Sequence, residues 1–315
     1  MEWYVIVLLF LVITTASGGA GFFYKKITSL HEEGNDIPVV LSSAPIPLVL
    51  LFTILASIAG WEFTLPNIVC GMLGGLCFSV AVAMLLLSVS KGNYSVSVII
   101  INLSFFIPIC LASAFLGENA KVTQLIGIVL LVLVIVFSNI RFRRKEAEGK
   151  RSNIWLIYAL LSCLCNGLVN FSLKVQQYYS PGTGQDTFYF VMYATALVSG
   201  LVLLLALKSS RVHRAHALRI PLAGAGLGLC VAFNYYPMSY LAPHVNSALL
   251  FGVSTAGAIL MSLLAGWIFF REKITVRSIV SMISCIAAII LQALSLCNYK
   301  IGDYMKDIHA NPQFR

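Results

Sequence analysis

The chain has 315 residues, of which 59% are hydrophobic and 10% charged, with a mean hydropathy of +0.90. Soluble domains carry about 25% charged residues, so this composition excludes a soluble globular domain. The net charge of +9 does not point to nucleic acid either, because Lys and Arg gather in short loops between apolar runs, as orientation signals do.

Ten apolar segments follow one another, at about 3–24, 38–60, 68–90, 95–117, 122–140, 154–175, 187–207, 221–242, 247–270 and 275–297. Runs of about 20 apolar residues are long enough to cross a ~30 Å hydrocarbon core as helices. The expected fold class is therefore an all-α membrane protein with ten transmembrane helices. The first run follows Glu2, where a secretory leader would carry positive charge, and no cleavage-like pattern interrupts it. It reads as a retained helix.

The turn Phe115-Leu-Gly-Glu118, between the fourth and fifth segments, returns 154 positions later as Phe269-Phe-Arg-Glu272, with Val122 matched by Val276. Gly71, Gly75 and Cys77 align with Gly224, Gly228 and Cys230 at an offset of 153, as does Asn93 with Asn246. Near the start, Gly18, Phe22 and Lys25 fall on Gly167, Phe171 and Lys174 at an offset of 149. Nearly constant offsets in separated patches mark a duplicated unit. The halves are a first repeat over 1–145 and a second over 153–300, joined by a basic linker at 146–152 and followed by a polar tail, 301–315. Five segments per half is an odd number, so the second copy enters the membrane from the opposite side, giving inverted repeats.

Sixteen Lys and Arg residues fall on one face, including the cluster from Arg141 to Arg151. Five fall on the other: Lys121, Lys174, Lys300, Lys306 and Arg315. The positive-inside rule puts the richer face in the cytoplasm and both termini outside. Gly71/Gly75 and Gly224/Gly228 are small-xxx-small pairs on the third and eighth segments. Such pairs let helix backbones approach closely in lipid, which predicts pseudo-symmetric packing of these two helices.

The chemistry is marked by what is missing. All twelve acidic residues fall in loops, tails or segment ends, so no mid-membrane carboxylate is available for a proton relay or a cation site. The five histidines make no metal constellation, and the eight cysteines, Cys163-Leu-Cys165 being the closest pair, read as packing residues. No nucleophile–base grouping or pair of carboxylates suggests an enzyme, and no cofactor is expected. Glu118 and Glu272 each lie just ahead of a helix, where a carboxylate can cap free N–H groups, and both read as structural turn residues.

Polar side chains inside the segments are the better site candidates. Asn102 and Ser104 lie on the fourth segment, Asn170 on the sixth, Asn234, Tyr235 and Tyr236 on the eighth, and Thr255 on the ninth. A polar group facing lipid is costly, so these should face other helices or a wet cavity. Interhelical hydrogen bonding is the plainer role for any one of them. Pro108 and Pro237 should interrupt the helical ladder in mid-segment, and broken helices at a repeat interface point to a transport site.

Ten spans in two five-helix halves, with the Phe-Leu-Gly-Glu118 and Phe-Phe-Arg-Glu272 turns each followed by an apolar helix bearing a small residue (Gly127, Ser281), resemble the EamA type of the drug/metabolite transporter superfamily. The resemblance covers residues 1 to about 297. It implies a carrier working by alternating access, with a central cavity lined by the first, third, fourth, sixth, eighth and ninth helices. Carried onto this sequence, it reaches Asn102, Asn234 and Tyr235. The chain departs from the pattern at Arg271, where the family often has Gly, and in its charge count, since characterised ten-helix members mostly keep both termini inside. The expected protein is a multi-pass carrier of the plasma membrane, a monomer or homodimer contacting membrane lipid, that moves a small amino-acid-like or sugar-like solute. The competing expectation is a non-transporting membrane subunit whose polar residues serve only helix packing.

Overall fold

A computed structural model describes residues 3–28, 61–91, 97, 100–118, 122–139, 154–181, 183–206, 219–270, 279–280 and 282–291. The second predicted segment, the basic linker, Asn93, Glu272 and the polar tail lie outside these residues. Among the described residues the protein is helical and has no strand. The helices are α1 (Trp3–Thr28), α2 (Leu65–Lys91), α3 (Phe106–Phe115), α4 (Val122–Asn139), α5 (Ile154–Tyr179), α6 (Gln185–Ala206), α7 (Arg219–Leu241), α8 (Ser247–Phe270) and α9 (Met282–Leu291). A 3-10 turn, Leu103–Phe105, precedes α3.

Among the described residues, three stretches are long and apolar enough to cross a membrane: Tyr4–Phe23, Leu65–Ser88 and Ile154–Tyr179. Their outward faces carry large apolar side chains, such as Leu8 and Leu11 on α1, Leu73 and Leu76 on α2, and Ile157, Leu160 and Leu164 on α5. On α5 the opposite face buries Ser162, Asn170 and Lys174. Polar-in, apolar-out is the arrangement that hydrocarbon surroundings require, since an unpaired polar group costs several kcal/mol there.

The helices pack in two groups. In one, α2 lies along α5 and α6, and α3 packs on α5. In the other, α1 lies along α7 and α8, and α4 packs on α8. Thinner contacts join the groups, where the 3-10 turn and α3 touch α8, α5 touches α7, and α1 touches α2. Each group thus mixes helices from the two ends of the chain. Close approach depends on small residues: a Cβ added at Gly18 would lie 2.7 Å from Met261 Cβ, and one added at Gly167 2.5 Å from Ile107 Cβ.

The two glycine pairs lie on α2 and α7. Gly71 and Gly75 on α2 lie against α6, where a Cβ at Gly71 would sit 2.8 Å from the Phe188 carbonyl oxygen. Gly224 and Gly228 are buried on α7. The two prolines differ in effect. Pro108 falls in the first turn of α3, where a missing N–H has no intrahelical partner to lose, and the regular ladder gives way just ahead of it in the 3-10 turn. Pro237 is accommodated within α7, which continues to Leu241.

Candidate functional site

Ser162, Asn166, Asn170 and Lys174 follow one another at intervals of four, so they share one face of α5. Three of the four bond to different elements. Ser162 Oγ donates to the Ala81 carbonyl of α2 at 2.7 Å, and Asn166 Nδ2 donates to Ser104 Oγ in the 3-10 turn at 2.7 Å. Asn170 is 9% exposed and makes no hydrogen bond among the described residues. Its amide atoms are not among the fully buried polar atoms that lack a partner, so they keep access to water or a ligand that can supply one.

Lys174 ends the stripe. Its Nζ pairs with Glu118 Oε1 at 2.9 Å and donates to the carbonyls of Ala242 at 2.8 Å and Val245 at 2.9 Å. All three ammonium protons therefore have acceptors. Glu118 arrives on a turn opened by Gly117, whose φ of +67° is a left-handed conformation open to glycine at little cost. Its Oε2 accepts the Ser247 amide at 2.8 Å, capping the N-terminus of α8. Burial pushes the Glu118 carboxyl upward, but the Lys174 charge, its hydrogen bond and the Ser247 amide outweigh this and hold it below the ordinary carboxylate range. Beside it, Asn246 Oδ1 accepts the Leu249 amide at 3.1 Å, and the Asn246 and Gln124 side-chain amides bond reciprocally at 2.9 and 3.0 Å.

Two expectations change here. Glu118 does cap a helix, but α8 rather than the helix that follows it in sequence. Lys174, counted among the loop charges of the poorer face, is 6% exposed inside α5 and neutralised by Glu118. It does not act as a solvated orientation signal, which leaves four cations on that face.

A second polar cluster lies where α6 meets α7. Tyr189 is fully buried and donates its hydroxyl to the Tyr235 carbonyl at 2.6 Å. Its ring stacks on Tyr193 at 5.7 Å and on Tyr236 at 5.4 Å. The Tyr236 hydroxyl donates to Asp186 Oδ1, and Ser239 Oγ donates to Gln185 Oε1 at 3.3 Å. The Tyr235 ring is buried and meets Phe78 edge-on at 6.3 Å. Nearby, Gln176 Nε2 donates to Asn67 Oδ1 at 2.9 Å and to the Thr183 carbonyl at 3.1 Å, pinning the start of α2 to the α5–α6 turn.

The other candidates are dispersed. Asn234 Nδ2 is taken up by Ser17 Oγ and the Ile13 carbonyl on α1, and Ser104 by Asn166. Asn102 and Thr255 are half-buried and make no side-chain hydrogen bond among the described residues. Among the described residues no group of three His, Cys, Asp or Glu side chains could hold a metal ion. The sequence reading passed over Lys174 and Asp186 as site residues. The signal for Lys174 was its place four residues after Asn170 on one helical face; Asp186 gave none beyond its position in a first turn.

No protein-family model matches the chain, and no curated protein does. Among solved structures 28 chains match. One protein crystal structure superposes with a TM-score of 0.68 at 14% identity, covering 91% of this chain and 98% of its own. The likeness is one of fold.

Proposed function

We propose that the chain is an EamA-type carrier of the plasma membrane, with ten spans arranged as two inverted five-helix repeats, 1–145 and 153–300. It moves a small polar solute, amino-acid-like or sugar-like, by alternating access. The supporting observation is the way the two halves exchange partners. Under the sequence offsets of 149 to 154, the Gly18–Met261 contact maps onto Gly167–Ile107. The Asn234–Ile13 contact of α7 with α1 maps onto the Ala81–Ser162 contact of α2 with α5. Such correspondence is what an inverted duplication produces, and in transporters the solute site lies at the interface between repeats. Asn170, 9% exposed and without a hydrogen-bond partner among the described residues, supplies a hydrogen-bonding group there, with Asn102 and Thr255 as further candidates.

Purified protein in vesicles, offered a broad panel of radiolabelled neutral and zwitterionic metabolites, should show solute-dependent exchange that Asn170→Ala diminishes. Vesicles inert to the whole panel would refute the reading. A second reading, a non-transporting membrane subunit, is favoured by the use of Ser104 and Asn234 in helix–helix bonds. Replacing Asn102 and Tyr235 separates the two: a carrier loses exchange while still folding, whereas a scaffold loses only assembly.

A further inference from the structure

Among the described residues, six hydrogen bonds join the two helix groups at one end of the bundle. Lys174 donates to Ala242 and Val245, Ser247 to Glu118, Tyr189 to Tyr235, Tyr236 to Asp186, and Ser239 to Gln185. Elsewhere the described parts of the two groups touch thinly. The Lys174–Glu118 pair lies among these ties, and the Asn170 amide, which has no hydrogen-bond partner among the described residues, sits one helical turn, about 6 Å, inside it on the same face of α5.

Resting on the carrier reading, we infer that the Lys174–Glu118 pair is the latch that closes this end of the solute path over Asn170. The structure is thus the form closed at this end, the end that the charge count places outside. An ion pair suits a reversible closure. Its Coulomb gain is largely cancelled by the cost of drying both charges, so parting into water is nearly balanced, whereas an apolar plug gains nothing by parting. The bonds to the Ala242 and Val245 carbonyls and to the Ser247 amide make the opening collective. When the pair parts, the turn between α7 and α8 is released from α5 and from the end of α3 together.

The test uses the full chain in lipid nanodiscs, with spin labels at Tyr179→Cys on α5 and His244→Cys in the α7–α8 turn, both exposed positions on opposite groups. The unsubstituted chain, labelled in parallel, gives the thiol background. Glu118→Gln keeps the shape and removes the charge of one partner, and Lys174→Met removes the charge of the other. In each variant the ratio of long to short distances should rise about tenfold, the size expected for losing one charge-assisted contact. Folding is checked by helical circular dichroism and monodisperse elution, and if only one variant folds, that variant decides. Folded variants that keep the parent distance distribution overturn the latch. Exchange assays on the same proteins test the carrier reading separately. Distances that lengthen in protein unable to move any solute leave the latch and remove the carrier. Exchange with unaltered distances does the reverse.

Discussion

Gly75 offers a direct test of how the α2–α6 contact is made, because two opposing effects of known size meet there. Replacing Gly by Ala inside a helix gains up to about 1 kcal/mol, since it limits the unfolded backbone. At Gly75 the added methyl would lie 2.8 Å from Thr195 Cβ, 3.1 Å from the Ala196 nitrogen, and closer still to the Met192 carbonyl oxygen. Ordinary contacts between carbon atoms run at about 3.5–4.0 Å, so α6 has to move away by about 1 Å. Two of the obstructing atoms are backbone and cannot rotate aside. Overpacking of this kind costs about 1–3 kcal/mol, which exceeds the helix gain, and Gly75→Ala should be destabilised by about 1–2 kcal/mol net. Gly200 is the control, because among the described residues nothing lies within 4 Å of a Cβ placed there. Gly200→Ala should be neutral or more stable. Reversible unfolding in mixed micelles titrated with sodium dodecyl sulfate, followed by far-ultraviolet circular dichroism, reads both. A Gly75→Ala protein as stable as Gly200→Ala would refute the close α2–α6 contact.

Three further outcomes are expected. Lys174→Met leaves the Glu118 carboxylate with the Ser247 amide but without its cation, and should cost about 3 kcal/mol; Lys174→Met with Glu118→Leu should recover much of that, whereas additive losses in the same unfolding titration would argue against a coupled pair. The folded protein holds the Glu118 proton less tightly than the unfolded chain, so this group's stabilisation is complete above the ordinary carboxylate value of 4.5 and is lost as pH falls through the lower folded value. Unfolding titrations should accordingly show an acid loss below about pH 4.5 that Glu118→Gln reduces, and an identical acid limb in that variant would count against the pairing. Asn234→Ala should lower stability by about 1 kcal/mol through the lost bond to Ser17, while Asn170→Ala leaves stability unchanged or raised and lowers exchange; equal stability losses in both would mean that Asn170 also has a packing role.

Some of this was legible in one dimension. Insertion into hydrocarbon depends on the summed hydropathy of a local run, so the apolar stretches of α1, α2 and α5 could be read from the sequence directly. The offsets linking Gly18 to Gly167 and Glu118 to Glu272 are likewise a property of the string. Glu118 could be recognised as a capping residue from its place beside a helix. Partnership could not be read that way. Glu118 meets Ser247 and Lys174, which lie 129 and 56 positions away, and Tyr236 meets Asp186 across two different helices. Which polar groups meet depends on how each helix is rotated and how closely small residues let it approach its neighbours. In lipid those choices come from packing and hydrogen bonding between distant segments, because hydrophobicity no longer ranks one apolar face above another. Lys174 is the clearest case: the string makes it one more basic residue near a segment end, and only the assembled bundle turns it inward onto a carboxylate and two carbonyls.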